Sequence, residues 1–107
     1  MPQNRVAKRC LKRYTLKHGV EGPSMVGFTE DVSREGLFIK TIHLHPPNTR
    51  INIELSVSGD NIVKIEGTVM WAKKVPPSMI NYIKKSGMGI KITRIISGEE
   101  IYNGLCE

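Results

Sequence analysis

Acidic residues are missing where this chain begins, cysteines are few, and no long apolar run occurs anywhere. From Met1 to Lys17 there is no Asp or Glu, whereas Arg5, Lys8, Arg9, Lys12, Arg13 and Lys17 are all basic. Such an arm attracts phosphates at long range and loses that pull in salt, which bears on the partner and not on the fold. On charge alone a solvated basic tail fits equally well. Cys10 and Cys106 stand near opposite ends with no CxxC pair, so neither a cysteine zinc site nor a disulfide framework is indicated, and one bridge between them stays open. No apolar stretch follows Met1–Arg5 as a signal peptide requires, and none approaches the roughly 18 residues that span a bilayer. The expectation is a reduced, soluble, cytoplasmic protein without membrane insertion. Catalytic patterns are also lacking. There is no Ser-His-Asp or Cys-His set, no paired-carboxylate motif and no Gly-x-x-x-x-Gly-Lys loop, so no catalytic residue is assigned and an enzyme is not expected.

What is present fits one small domain. The chain has 107 residues, 39% of them hydrophobic and 24% charged, with a formal net charge of +6. Its hydrophobic period is mostly two. Ile51, Ile53, Leu55 and Val57 alternate with polar residues, and Val63, Ile65, Gly67, Val69 and Trp71 do the same after a Gly59-Asp60 turn. Trp71 by this register belongs to the core, and Gly67 marks a bulge or bend where a sheet curls. Met88, Ile90 and Ile92 repeat the pattern. Strands are also expected at Leu11–His18, Met25–Val32 and Gly36–Thr41. Two Pro-Pro pairs place loops at His43–Thr49 and Val75–Ser86. Ser97 followed by Glu100 has capping-box spacing and predicts a final helix near Gly98–Leu105. The reading is a mainly all-β fold: a six-stranded antiparallel barrel (11–95), a short C-terminal helix (97–105) and a flexible basic N-terminal arm (1–10).

The chemistry concentrates in two motifs. Arg5-x-x-x-Arg9 offers two planar, permanently charged forks that can clamp a phosphate, lie against a base or reach the O6/N7 edge of guanine. Asp31-x-Ser33-x-x-Gly36 offers a carboxylate suited to the N1 and N2 donors of guanine, a hydroxyl, and a glycine that permits a positive φ or a close backbone approach. Each motif alone also fits a plain structural role, the first as a solvated basic end and the second as a turn bonded to its own backbone. Their order, before a run of alternating strands, describes a receptor for a small anionic purine ligand.

Arg5-Val-Ala-Lys-Arg9, then Asp31-Val-Ser33-Arg-Glu-Gly36 and Leu37-Phe-Ile-Lys-Thr41, resembles a PilZ domain, as do Gly67-Thr-Val-Met-Trp71 and Gly87-Met-Gly89-Ile-Lys-Ile92 further on. The resemblance implies a six-stranded barrel and a stand-alone bacterial receptor for cyclic di-GMP, with no cofactor. It places Arg5 and Arg9 on a switch loop that grips phosphates and guanine edges, and Asp31, Ser33 and Gly36 on the barrel surface against a guanine. Asn4 stands where many members carry a third arginine, which the resemblance links to whether one ligand or a stacked pair binds. A related guanine cyclic dinucleotide fits the same residues. The bound state would then signal to an unidentified downstream protein, in motility or biofilm control, through ordering of the arm.

Other candidates are weaker. His43 and His45 alternate like two metal ligands, but no nearby Cys, Asp or Glu completes a site and Pro46-Pro47 follows, so no metal is assigned. Two rival functions remain: a PilZ-like protein adaptor without ligand, and a small basic barrel binding RNA or single-stranded DNA. Against the latter, the aromatics are only Tyr14, Phe28, Phe38, Trp71, Tyr82 and Tyr102, a thin stacking platform.

Overall fold

The computed structural model describes residues 10–74 and 86–106, the side chain of Cys106 excepted. The expected arm with Arg5 and Arg9, most of the Val75–Ser86 loop, and any pairing of Cys10 with Cys106 lie outside the described residues. Seven strands run in chain order: β1 (Cys10–Leu11), β2 (Thr15–Gly19), β3 (Met25–Val32), β4 (Gly36–Lys40), β5 (Arg50–Ser58), β6 (Asn61–Lys73) and β7 (Gly87–Ser97). A helix, α1 (Glu99–Asn103), and one 3-10 turn (Gly104–Cys106) follow.

All the pairings are antiparallel, in the order β1-β3-β2-β5-β6-β7-β4, and a further β3–β4 pairing closes strands β2 to β7 into a six-stranded barrel. Strand β3 makes the closure possible because its two edges serve different partners. Residues Met25–Phe28 pair with β2, while Phe28–Val32 pair with β4. The short β1 lies outside the ring and continues the β2 edge of β3, with Cys10 opposite Val32 and Leu11 opposite Asp31.

Alternation supplies the core. Leu16, Leu37, Ile39, Ile51, Ile53, Leu55, Val63, Ile65, Val69, Met88 and Ile90 point inward and are buried. Burying each such side chain contributes about 1.5–3 kcal/mol, the main favourable term for a barrel this small. Closing a small ring demands sharp local twist, and bulges provide it. One register shift falls at Glu66/Gly67, where a Cβ on Gly67 would stand 2.6 Å from Ile90 Cγ2. The expected bend at Gly67 is therefore real, and the bare glycine makes room for a core isoleucine. In the β5–β6 hairpin Gly59, at φ 52, takes the first loop position, where a II′-type connection calls for glycine.

Three local expectations are corrected. The single strand over Leu11–His18 is broken at Lys12–Tyr14. There the Thr29 hydroxyl stands in for the ladder, donating to the Lys12 carbonyl at 2.6 Å and accepting from the Tyr14 N–H at 2.9 Å. The capping box does not form. Ser97 stays in β7 opposite Lys64, and the helix starts from Gly98 in a left-handed conformation (φ 85) with no side-chain cap. Trp71 is not in the core. A register shift between Val69 and Trp71 breaks the alternation, so Val69 is fully buried while Trp71 is 48% exposed.

The opposite end of the barrel from the β3–β4 turn is closed by the loop from Thr41 to Thr49. Asn48 N–H donates to the Val69 carbonyl at 2.7 Å, and Val69 N–H to Thr49 at 2.9 Å. Under this loop lies His18, fully buried. Burial, with smaller contributions from His45 and His43, lowers its pKa from 6.5 to about 4, so the ring is neutral near pH 7. Burial and His43 lower the His45 pKa as well. The expected loop at His43–Thr49 is thus observed, with one of its two histidines packed against the barrel.

Candidate functional site

The turn between β3 and β4 joins Ser33 to Gly36, and Asp31 lies two residues before Ser33 in β3. Ser33 is 5% exposed, and its N–H donates to the Gly36 carbonyl at 2.8 Å while its hydroxyl accepts the Gly36 N–H at 3.2 Å. This is the self-bonded turn that Asx- and Ser-containing sequences favour. It is further pinned from two sides. Ile92 of β7 donates its N–H to the Glu35 carbonyl at 2.8 Å, and Tyr102 of α1 donates its hydroxyl to the Ser33 carbonyl at 2.6 Å. Gly36 does not have a positive φ. A side chain there would run into the Ile90 carbonyl, so glycine is required by the close approach of β7.

Asp31 stands beside this turn at a bulge. The shift between Thr29 and Asp31 leaves Glu30 as the extra residue. Residues directly opposite one another in a sheet share a face. The pairings Leu11–Asp31, Asp31–Phe38, Phe38–Gly89 and Gly89–Trp71 therefore define one row across five neighbouring strands on the outside of the barrel. Leu11 at one end of the row is 84% exposed. At the other end the Phe38 and Trp71 rings stack at 5.2 Å, and the Trp71 indole occupies the space a Gly89 side chain would need.

Next to Asp31 is a shallow depression of about 280 Å³. Lys12, Arg13, Lys40, Phe28 and Glu30 line it, so three cations face one carboxylate. Arg13 lies over the Phe28 ring at 4.6 Å from its centroid, and Lys40 meets Glu30 at 3.4 Å. The interruption of β1 and β2 at Lys12–Tyr14 is what places Lys12 and Arg13 here rather than in a regular ladder.

Of the residues expected from sequence to form a site, Ser33 and Gly36 thus share one turn with Asp31 on the strand beside it, whereas Arg5 and Arg9 lie outside the described residues. Sequence reasoning missed Tyr102, which reaches the turn from a helix 66 to 69 positions later. It also gave Lys12 and Arg13 only a diffuse electrostatic role, although the register places them in the depression. Among the described residues no group of His, Cys, Asp and Glu side chains could by itself hold a metal, and no helix is long and apolar enough to cross a membrane.

Comparison with known proteins agrees with the barrel fold. No curated protein matches the sequence significantly. Among solved structures the chain is similar in fold to the Bacillus subtilis inhibitor of motility, MotI/DgrA, with a TM-score of 0.70 at 13% identity. That similarity covers 98% of this chain and 50% of the other, so the chain spans about half the length of that protein. The PilZ domain family matches residues 3–102, nearly the whole sequence, and on that coverage the chain belongs to the PilZ domain family, a family of cyclic di-GMP receptors and adaptors rather than enzymes.

Proposed function

We propose that this chain is a receptor for cyclic di-GMP, or a related guanine cyclic dinucleotide, in which the N-terminal arm closes over the ligand at the Asp31–Gly36 turn. The observation that carries this reading is the register of β1. Cys10 pairs with Val32 and Leu11 with Asp31, so the chain enters the barrel one residue from Ser33. Arg9 is bonded to Cys10, and consecutive Cα atoms are only about 3.8 Å apart. In this reading Arg9, two positions before Leu11, acts on the ligand from the side of Leu11 and Asp31. Arg5 precedes Arg9 by four positions in the sequence. The roles assigned are phosphate and guanine-edge clamping for Arg5 and Arg9, guanine recognition for Asp31 and Ser33, and a rigid mount in Gly36. The cationic depression beside Asp31 supports the same polarity of ligand.

Magnitudes make the arm a switch. Micromolar affinity needs roughly 8 kcal/mol. Two bidentate arginine contacts supply about 1–3 kcal/mol each and base stacking about 1–3 more. Ordering backbone costs roughly 1–2 kcal/mol per residue, so closure of the arm offsets much of the gain and happens only with ligand bound. The closed arm presents a changed surface to an unidentified protein partner. The fold shared with an inhibitor of motility favours a motility output. Calorimetric titration with a panel of cyclic dinucleotides, beside a single-stranded oligonucleotide, tests this. Saturable binding of cyclic di-GMP with a defined stoichiometry is expected. Binding of the oligonucleotide alone would replace the receptor with a nucleic-acid-binding barrel, and binding of neither would leave a protein adaptor.

A further inference from the structure

The two cysteines belong to elements that meet at one corner of the barrel. Cys10 opens β1 and stands opposite Val32 of β3. Ser33, the residue after Val32, accepts the Tyr102 hydroxyl at 2.6 Å, so α1 is bonded to the backbone beside the partner of Cys10. Cys106 follows Tyr102 by four positions, in the 3-10 turn that continues α1. Cys10 and Leu105 pack against the same hydrophobic core. Cys10 is disulfide-bonded, and Cys106 is its partner because the sequence has no third cysteine.

Little else holds β1 in place. It has two residues, it pairs only with β3 among the described strands, and Leu11 is 84% exposed. Fixing even one backbone residue carries an entropic cost equivalent to roughly tenfold in an equilibrium constant. A two-residue ladder has little to set against that cost, so the covalent tie at Cys10 decides whether β1 stays on β3. Cys10 is only half-buried, which puts the tie within reach of a small thiol. Accessible disulfides are the ones that exchange and regulate.

We propose that the Cys10–Cys106 disulfide is a redox switch on the root of the N-terminal arm, pinning β1 to β3 when oxidised and releasing it when reduced. The co-reactant is a small thiol and its disulfide, of the glutathione class. One thiol, as thiolate, attacks a sulfur of the bond and forms a mixed disulfide. A second thiol attacks that intermediate, which leaves both cysteines as thiols and the two small molecules joined as a disulfide. Two electrons and two protons thereby pass to the protein, and the reverse exchange restores the bond. Arg9 is bonded to Cys10, so the switch also acts on dinucleotide binding, a consequence that rests on the receptor reading proposed above.

The test compares amide exchange of the full chain when oxidised and after reduction by dithiothreitol under native conditions. The Cys10→Ser/Cys106→Ser variant serves as the bridge-free control. Reduction should speed exchange of the Cys10–Leu11 and Asp31–Val32 amides by about tenfold or more relative to the β5–β6 hairpin, and oxidised glutathione should reverse it. The variant should exchange at the reduced rate in either solution. Equal β1 exchange in the two forms overturns the switch, as does a bond that survives the dithiol while the chain stays folded. Calorimetry should show cyclic di-GMP binding about tenfold more weakly to the reduced chain. Equal affinity in the two forms would overturn the link from switch to site. Binding by neither form would overturn the receptor reading, and the exchange comparison would still decide the switch.

Discussion

Single residues decide how firmly the candidate site is held. Tyr102 is 3% exposed, and its hydroxyl donates to the Ser33 carbonyl at 2.6 Å. Tyr102→Phe leaves that buried carbonyl without this donor, a loss of about 1–3 kcal/mol, expected as a lower denaturant midpoint with an unchanged m-value. Gly36→Ala forces a methyl group into the Ile90 backbone and should cost about 1–3 kcal/mol, measured in the same way. At the other end of the barrel the relevant variable is pH. The His18 pKa is lowered from 6.5 in the unfolded chain to about 4 in the folded one. The unfolded state therefore binds the proton more readily, so this contribution is complete above pH 6.5 and is lost as pH falls toward about 4. At 1.36 kcal/mol per pKa unit the effect is roughly 3 kcal/mol. Urea unfolding between neutral and mildly acidic pH should show that decline, and His18→Gln should flatten it.

Among the elements, β1 matters most although it is only two residues long. It pairs with β3 beside the candidate site, and in the proposed function the arm begins there. Amide exchange across residues 3–11 should slow with saturating cyclic di-GMP, while the β5–β6 hairpin stays unchanged. Equal exchange with and without ligand would contradict an arm that orders on binding. The elements also show where periodicity is a sufficient guide. Strands β5 and β6 could be read from alternation because one face of each is buried against a single core. The Pro46-Pro47 loop and the Gly59-Asp60 turn were equally plain, since proline and glycine restrict the backbone locally. Bulges were not. An extra residue at Val69–Trp71 reverses the side on which Trp71 lies, and nothing in the spacing of apolar residues announces it. Ser97 and Glu100 have the right spacing for a cap, yet β6 holds Ser97 in a ladder, and tertiary pairing overrides the local signal.

For the molecule as a whole, the barrel was legible because so many alternating positions agree, and part of the site was legible because Asp31, Ser33 and Gly36 are close in sequence. What sequence could not reveal are contacts assembled from distant segments: Tyr102 under the Ser33 turn, Lys12 and Arg13 beside Phe28, and His18 with His45 and Met88. The formal charge of +6 and the acid-free stretch from Met1 to Lys17 give the molecule a field that favours phosphates. Dinucleotide affinity should accordingly fall as ionic strength rises, more steeply for the unaltered chain than for Lys12→Ala. The convergence of arm and turn on one ligand is tested most directly by calorimetric titration of Arg9→Ala with cyclic di-GMP. Loss of measurable binding with a melting temperature close to that of the unaltered chain is the predicted result. Retained affinity in that variant would contradict the account.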